Sequence, residues 1–343
     1  MRILSVSNAP QLRTRNRGIS LVELMVSMVL GLLLTLGIVR IYLDSKLNYT
    51  ADEEMARVQE NGRFALNLLK RELTLAGFYA GDVTVDDMAP VAVTTDCTAG
   101  NWAMDPGDAI DLISDYSNSM LTTLNETLTC LTEDDTTVHV LAGTDIVSVK
   151  RTAGDFTVKN GAYLDGVTAA REAQWYLRRR NYGDEKSWLY VAAGSDFDAA
   201  DIGTDTRVDY WEFHSRIFYL RDYSETVGDG IPTLCVNELV GDEMAGSCLV
   251  EGVEDMQIEF GIDSSADGVP NRFKGAPTAA ELSNAVVVRI YLLLRSINEL
   301  PNYTNTKTYQ LGQKAVGAKN DGFYRRVMTT TVQTRNANLP LAS

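Results

Sequence analysis

From Ile19 the chain is apolar at nearly every position for one membrane thickness. Ile19–Val39 is interrupted only by Ser20, Glu23, Ser27 and Thr35 among polar side chains, and a span needs roughly 20 apolar residues. The helical period does not stop there. Leu47, Ala51, Met55, Val58, Gly62, Ala65, Leu69, Leu73 and Ala76 recur at spacings of three and four, which is one apolar stripe on a helix. Phe64 and Leu68 widen that stripe, and Asp52, Glu53, Glu60, Arg63, Lys70 and Arg71 populate the other side. No proline occurs from Ile19 through Gly77, and Gly77 supplies the stop. A helix from Ile19 to Ala76 would be about 87 Å long. Its first half needs lipid or other helices all round; its second half needs a globular head on one side.

Beyond Gly77 the period falls to two. Asp108–Ser114, Thr136–Val140, Asp145–Arg151, Trp188–Ala192, Arg216–Leu220, Met256–Gly261, Val286–Leu294 and Val327–Thr334 read as strands. Val286–Leu294 is almost continuously apolar and should be a central strand. Asn118–Glu126, Ala193–Asp209 and Ser264–Gly268 read as loops, and a short helix is expected within Asp165–Arg180. The pattern predicts an α+β fold, a long N-terminal helix packed on a mainly antiparallel sheet.

Charge sets the orientation. Arg13, Arg15 and Arg17 precede the apolar run, while Asp44 and Lys46 follow Arg40. The positive-inside rule places the N-terminus in the cytoplasm and the head outside. No small-residue cleavage site follows the apolar run at Gly37–Tyr42, which argues against an ordinary secretory signal peptide. Without residues 1–18 the chain has 27 basic and 46 acidic residues, a net of −19. Such a surface repels nucleic acid, and none is expected as a partner. The densest basic cluster, Arg178-Arg179-Arg180, reads as a solvated face or a salt-bridged turn.

The four cysteines, Cys97, Cys130, Cys235 and Cys248, form no C-x-x-C pair. An exported head makes disulfides their natural use. Three connectivities exist, and pairing sequence neighbours, Cys97 with Cys130 and Cys235 with Cys248, is the expectation. Closing the shorter loop stabilises by roughly 3 kcal/mol on the chain-entropy model. Asp263-Ser264-Ser265-Ala266-Asp267-Gly268 has the opening spacing of a calcium loop, with Asp263, Ser265 and Asp267 as candidate ligands. Lys274 stands where the closing glutamate belongs, so a polar turn is the preferred reading, and no cofactor is expected beyond that candidate Ca2+.

Catalytic signatures are absent. There is no G-x-S-x-G, H-E-x-x-H or Walker loop. His139 and His214 read as structural. Asp86-Asp87 and Asp134-Asp135 read as solvated loops, and the four tryptophans as core. The chain is not expected to be an enzyme.

Glu23 is the costly residue. A carboxylate in a membrane-spanning helix usually has a function. Gly18 has no side chain, so a protease can hold the backbone closely there. Cleavage after Gly18 would leave Ile19 with a free α-amine, and a neighbouring subunit's amine could compensate Glu23 and set axial register. The plain alternative is a simple anchor whose glutamate snorkels to the interface.

Gly18-Ile19-Ser20-Leu21-Val22-Glu23-Leu24-Met25-Val26 resembles the type IV prepilin motif. Gln59–Leu66, Glu72-Leu73, Leu75–Phe78, Val253–Gln257, Val288–Ser296 and Tyr324–Val332 resemble the PilW family of minor pilins. The resemblance implies a type IV pilin-like fold with residues 1–18 as a cleaved leader. Residues 19–77 would be the N-terminal helix, of which 19–42 lie in the membrane and 43–77 are amphipathic. Residues 78–343 would be the periplasmic, β-rich head. It implies cleavage after Gly18 and N-methylation of Ile19 by a prepilin peptidase, residence in the bacterial inner membrane, and then entry into a pilus. The implied partners are other minor pilins, the major pilin, the inner-membrane assembly platform and a tip adhesin. The implied role is priming of assembly with a place near the tip. The chain departs from many pilins in lacking a helix-kinking proline in the membrane half. A pseudopilin of type II secretion is the alternative within the superfamily, and a membrane-anchored periplasmic binding protein or enzyme the alternative outside it.

Overall fold

The computed structural model describes residues 18–81, 88–97, 101–107, 109–117, 122–123, 126–127, 129–133 and 137–336. The leader up to Arg17, and the pairs Asp86-Asp87 and Asp134-Asp135, lie outside the described residues. The chain divides into two compact units, Met1–Asp52 and Glu53–Ser343.

Helix α1 spans Leu21–Leu75, within two residues of the expected span at each end. Gly77 follows with φ 72°, the left-handed conformation that closes a helix at low steric cost. In the first unit every described residue from Gly18 to Thr50 is exposed.

In the second unit, the last turns of α1 bury Val58, Ala65, Leu66, Leu69 and Leu73. Leu69 and Leu73 are fully buried, each contributing about 1.5–3 kcal/mol of transfer free energy. Gly62 marks the closest approach, because an added Cβ there would meet Leu294 and Met328 side chains. Phe64 departs from the expected stripe and is 57% exposed. Two positions past Gly62 at about 100° each turn it almost to the opposite side of the helix.

Two antiparallel sheets receive the helix. The first contains β1 (Ile110–Ile113), β2 (Ile146–Thr152), β3 (Gln174–Arg180), β4 (Glu185–Val191), β5 (Val208–Arg221), β6 (Thr233–Val240) and β7 (Glu243–Glu251), together with the two-residue strands Val158–Lys159 and Ala162–Tyr163. Its main path runs β1-β2-β5-β6-β7. The 14-residue β5 changes partners along its length: Val208–Glu212 pair with β3, and Phe213–Phe218 with β2. The second sheet contains β8 (Val253–Ile262), β9 (Arg272–Lys274), β10 (Ala285–Arg295) and β13 (Arg325–Gln333), in the order β9-β8-β10-β13. A small hairpin, β11 (Tyr309–Leu311) with β12 (Lys314–Val316), packs Leu311 and Val316 against Leu293. The fold is α+β, as the periodicity predicts.

Alternation explains how both sheets serve the core. Even-numbered β10 residues, Val288, Ile290, Leu292 and Leu294, join Leu69 and Leu73 in the cluster around α1. Val147 and Val149 of β2, with Phe218 and Leu220 of β5, enter it from the first sheet. The opposite face of the first sheet builds a second, aromatic cluster with Trp102, Trp175, Phe213 and Tyr219. The continuous run in β10 is explained by its place between β8 and β13.

One expectation is corrected, and one element lies outside the sequence analysis. Asp165–Arg180 was expected to hold a short helix, but Gln174–Arg180 is strand β3. Trp175 and Leu177 face the aromatic cluster while Tyr176 packs on the other side, a period of two that tertiary pairing with β5 selects. Its arginines are paired along the strand, Arg178 with Asp201 at 2.8 Å and Arg180 with Asp205 at 2.7 Å. The β6–β7 hairpin was not read from the sequence, although Gly241-Asp242 between two strand-forming runs is a hairpin signal.

Replacing Gly62 with valine should lower stability by about 1–3 kcal/mol through overpacking against Leu294 and Met328. Urea unfolding of the purified chain measures this, and a change below about 0.5 kcal/mol, the ordinary surface range, would refute the close approach.

Candidate assembly helix and its charged anchor

The N-terminal motif opens α1. Ser20 precedes the first helical residue, and its Oγ accepts a hydrogen bond from Glu23 N at 3.2 Å. Ser20-Leu21-Val22-Glu23 therefore also has the spacing of a helix-start signature, a local signal the motif reading passed over. Ile19 is 72% exposed, and nothing lies within 4 Å of a Cβ added at Gly18. Ser27 and Thr35 return their hydroxyls to the carbonyls of Leu24 and Gly31 at 2.9 and 2.8 Å. These two polar groups are satisfied inside the helix. The Glu23 carboxylate has no partner among the described residues. Exposed apolar side chains occur on every face from Ile19 to Leu43, so this segment requires a bilayer or other helices around it.

A second charged feature lies at the other end of α1, wholly within the second unit. Glu72 is 2% exposed. Arg151 of β2 donates to it twice, through Nε and Nη2, both at 2.8 Å. Arg216 of β5 donates to it through Nη1 at 2.8 Å and to Glu238 of β6 through Nη2 at 2.6 Å. His214 Nδ1 lies 3.6 Å from Glu238. Two carboxylates and two guanidiniums thus form a neutral quartet between the helix and three adjacent strands. Burial opposes ionisation of Glu72, but the Arg151 hydrogen bonds and the Arg216 charge outweigh it and hold the carboxyl below its ordinary range. Burial opposes Glu238 likewise, and the hydrogen bonds from His214 and Arg216 bring it down to about 2. Burial holds His214 below the usual imidazole value despite Glu238 beside it.

Sequence reading placed Glu72 only within a family-like segment and His214 as structural. The quartet assembles residues far apart in the chain, so no local signal could have found it. Glu54 is a second buried carboxylate on the same helix, 4% exposed. It accepts hydrogen bonds from Ile297 N at 3.2 Å and Asn298 Nδ2 at 2.9 Å.

The remaining candidates are dispersed over the head. Cys97 is bonded to Cys130 and Cys235 to Cys248. The second bridge pins β6 to β7 where their register shifts. Asp263 Oδ1 accepts from Ser265 N at 2.9 Å, and its Oδ2 accepts from Gly268 N at 2.6 Å. Asp267 Oδ1 accepts from Val269 N at 2.9 Å. The loop thus satisfies its carboxylates with its own backbone, and Lys274 is paired with Glu281 at 2.7 Å. Among the described residues no three His, Cys, Asp or Glu side chains are grouped to hold a metal ion. His139 lies 3.2 Å from Asp222. Trp102 and Trp175 are buried, and Trp188 and Trp211 pack on the same cluster.

Comparison with known proteins matches the N-terminal motif and the segments of the resemblance in the last third, while Gln59–Phe78 lies outside the matched residues. Residues 13–39 match the prokaryotic N-terminal methylation motif. Residues 217–336 match the family described as type IV pilus-assembly protein W. A type IV-like pilin from Thermus thermophilus aligns over 82% of this chain and 97% of its own, at 14% identity and a TM-score of 0.36. That likeness is too distant to carry an argument. No curated protein matches the chain. The chain thus carries an N-terminal methylation motif and, in its last third, similarity to type IV pilus-assembly protein W.

Glu72→Ala should cost about 3–5 kcal/mol at pH 7, because it leaves buried Arg151 without its anion. The folded value of Glu72 is depressed, so its stabilisation is complete above the unfolded value of 4.5 and is lost as pH falls through the folded one. The gap between wild type and variant in urea unfolding should therefore narrow below about pH 4.5; a gap independent of pH would contradict the ionic account. For the 263–268 turn, millimolar calcium should leave the melting temperature unchanged, and a rise on titration would restore the ion-binding reading.

Proposed function

We propose that this chain is a minor pilin that helps prime type IV pilus assembly and is then incorporated near the filament tip. The observation that carries the proposal is one chain bearing both an N-terminal methylation motif at residues 13–39 and the PilW pattern at residues 217–336. A prepilin peptidase cuts after Gly18 and methylates the amine of Ile19. The head faces the periplasm while α1 waits in the inner membrane, with its N-terminus cytoplasmic.

Assembly then follows from the physical chemistry of α1. Its apolar first half passes from lipid to the company of other pilin helices, exchanging one apolar surrounding for another. Glu23 cannot make that move alone, because a lone carboxylate in an apolar bundle is strongly disfavoured. The methylated amine of a neighbouring subunit supplies the compensating cation and selects one axial register. Other minor pilins and the major pilin are the helix partners, the inner-membrane platform supplies the site of addition, and a tip adhesin is a partner for the head. The head contributes no chemistry to this reading; its buried quartet keeps the helix seated while the filament is under load.

Mass spectrometry of the membrane-fraction protein should find a mature N-terminus at N-methylated Ile19. Retention of residues 1–18, or cleavage beyond Val39, would overturn the reading. Glu23→Ala should be processed normally while the amount recovered in sheared filaments falls at least tenfold, about 1.4 kcal/mol of register energy at the least. Undiminished recovery would remove the register argument. Recovery in a secretion pseudopilus instead of a pilus would assign the chain to the other branch of the superfamily.

A further inference from the structure

Among the described residues the second sheet ends in an edge that no other strand covers. Strand β13 (Arg325–Gln333) pairs with β10 through nine consecutive residues without a register shift. Among the described residues it pairs with no other strand. Thr334 N donates to Val286 O, and Ser296 N donates to Tyr324 O. In an antiparallel ladder these bonds alternate. The even-numbered residues of β13 therefore face β10, and Val327, Thr329, Thr331 and Gln333 direct their N–H and C=O groups outward. Thr329, Thr331 and Gln333 are exposed.

Natural edges are blunted by shortness, charge, proline or bulges. The other edges here follow that practice. β9 has three residues and β1 has four. β4 opens with Glu185-Lys186, and β7 begins and ends with glutamate, contains Gly246 and sits beside a register irregularity. β13 alone among these runs uncharged from Val327 to Gln333, Val-Met-Thr-Thr-Thr-Val-Gln, with neither glycine nor proline.

At its two ends stand Arg326 and Arg335, both exposed. Neither has an ion pair among the described residues. In a head with a large acidic excess these are conspicuous uncommitted cations.

We propose that β13 receives an extended segment from a neighbouring subunit of the filament, which adds a fifth strand to the second sheet. The inference rests on the filament reading above. Backbone hydrogen bonds from Val327, Thr329, Thr331 and Gln333 supply affinity, as in other strand additions. Arg326 and Arg335 select the partner: about six uncharged, β-branched residues with a carboxylate at each end. The Thr-rich outer face admits β-branched neighbours on either side.

Two measurements on the full-length mature chain test this. The first is hydrogen–deuterium exchange resolved to single amides, in detergent and in sheared filaments. The amides of Val327, Thr329, Thr331 and Gln333 should exchange freely in detergent and become protected at least tenfold in filaments. Protection in detergent that grows with concentration would assign the edge to a second copy. Protection there at every concentration, abolished by removing residues 337–343, would assign it to the chain's own end. Either result overturns the proposal, as does absence of protection in filaments that contain the chain. Absence of the chain from filaments would overturn the filament reading as well, which separates the two failures.

The second is a proline pair. Thr331→Pro removes an outward N–H and spares the ladder to β10, a position where an edge tolerates proline. It should keep both disulfides and the melting temperature while recovery in filaments falls at least tenfold. Thr330→Pro removes an inward N–H and should lower the melting temperature. Thr331→Ser should assemble as wild type. Normal recovery of Thr331→Pro would refute strand addition.

Discussion

The buried contact between Glu72 and the guanidiniums of Arg151 and Arg216 is the constraint around which the head is built. A carboxylate 2% exposed on α1 is tolerable only with cations placed against it, and those cations come from two adjacent strands. Their pairing with Glu72, and that of Arg216 with Glu238, holds α1, β2, β5 and β6 in one register. Apolar packing by Leu69 and Leu73 supplies attraction but little direction. The charges supply the direction, since sliding the helix by one turn would bury them unpaired.

The same logic governs the N-terminal end of α1 in the opposite sense. Glu72 finds its cations within its own chain, whereas Glu23 finds none among the described residues. A carboxylate satisfied internally anchors a fold. The two glutamates on one helix thus differ in where their charge is met: Glu72 within the head, Glu23 nowhere among the described residues. Strand β13 extends that contrast to the backbone, where one side is spent on β10 and the other pairs with no strand among the described residues.

Much of this was legible in the residues. The apolar run, the stripe through Leu73 and the stop at Gly77 specify α1 to within two residues. The almost continuous apolar run at Val286–Leu294 identifies a strand flanked on both sides. The N-terminal methylation motif at residues 13–39 is legible because its pattern is local. What escaped was non-local or ambiguous. Gln174–Arg180 carries too few residues to distinguish a helix turn from a strand until β5 pairs with it. Phe64 lies close to the stripe in sequence but nearly opposite Gly62 around the helix. Glu72, Arg151, Arg216 and Glu238 are ordinary charged residues in isolation, and only the fold makes them a quartet.

The sequence by itself determined the helix, its apolar and amphipathic halves, the processing motif and the α+β class. Each of these depends on neighbours along the chain, through helical period, steric freedom at glycine and transfer free energy. The tertiary structure decided which charges are buried, how Arg178 and Arg180 are paired, how the long strands divide between two main sheets, and which strand has one side unpaired among the described residues. Those outcomes depend on distances between residues tens to hundreds of positions apart, and such distances exist only once the chain has closed on itself.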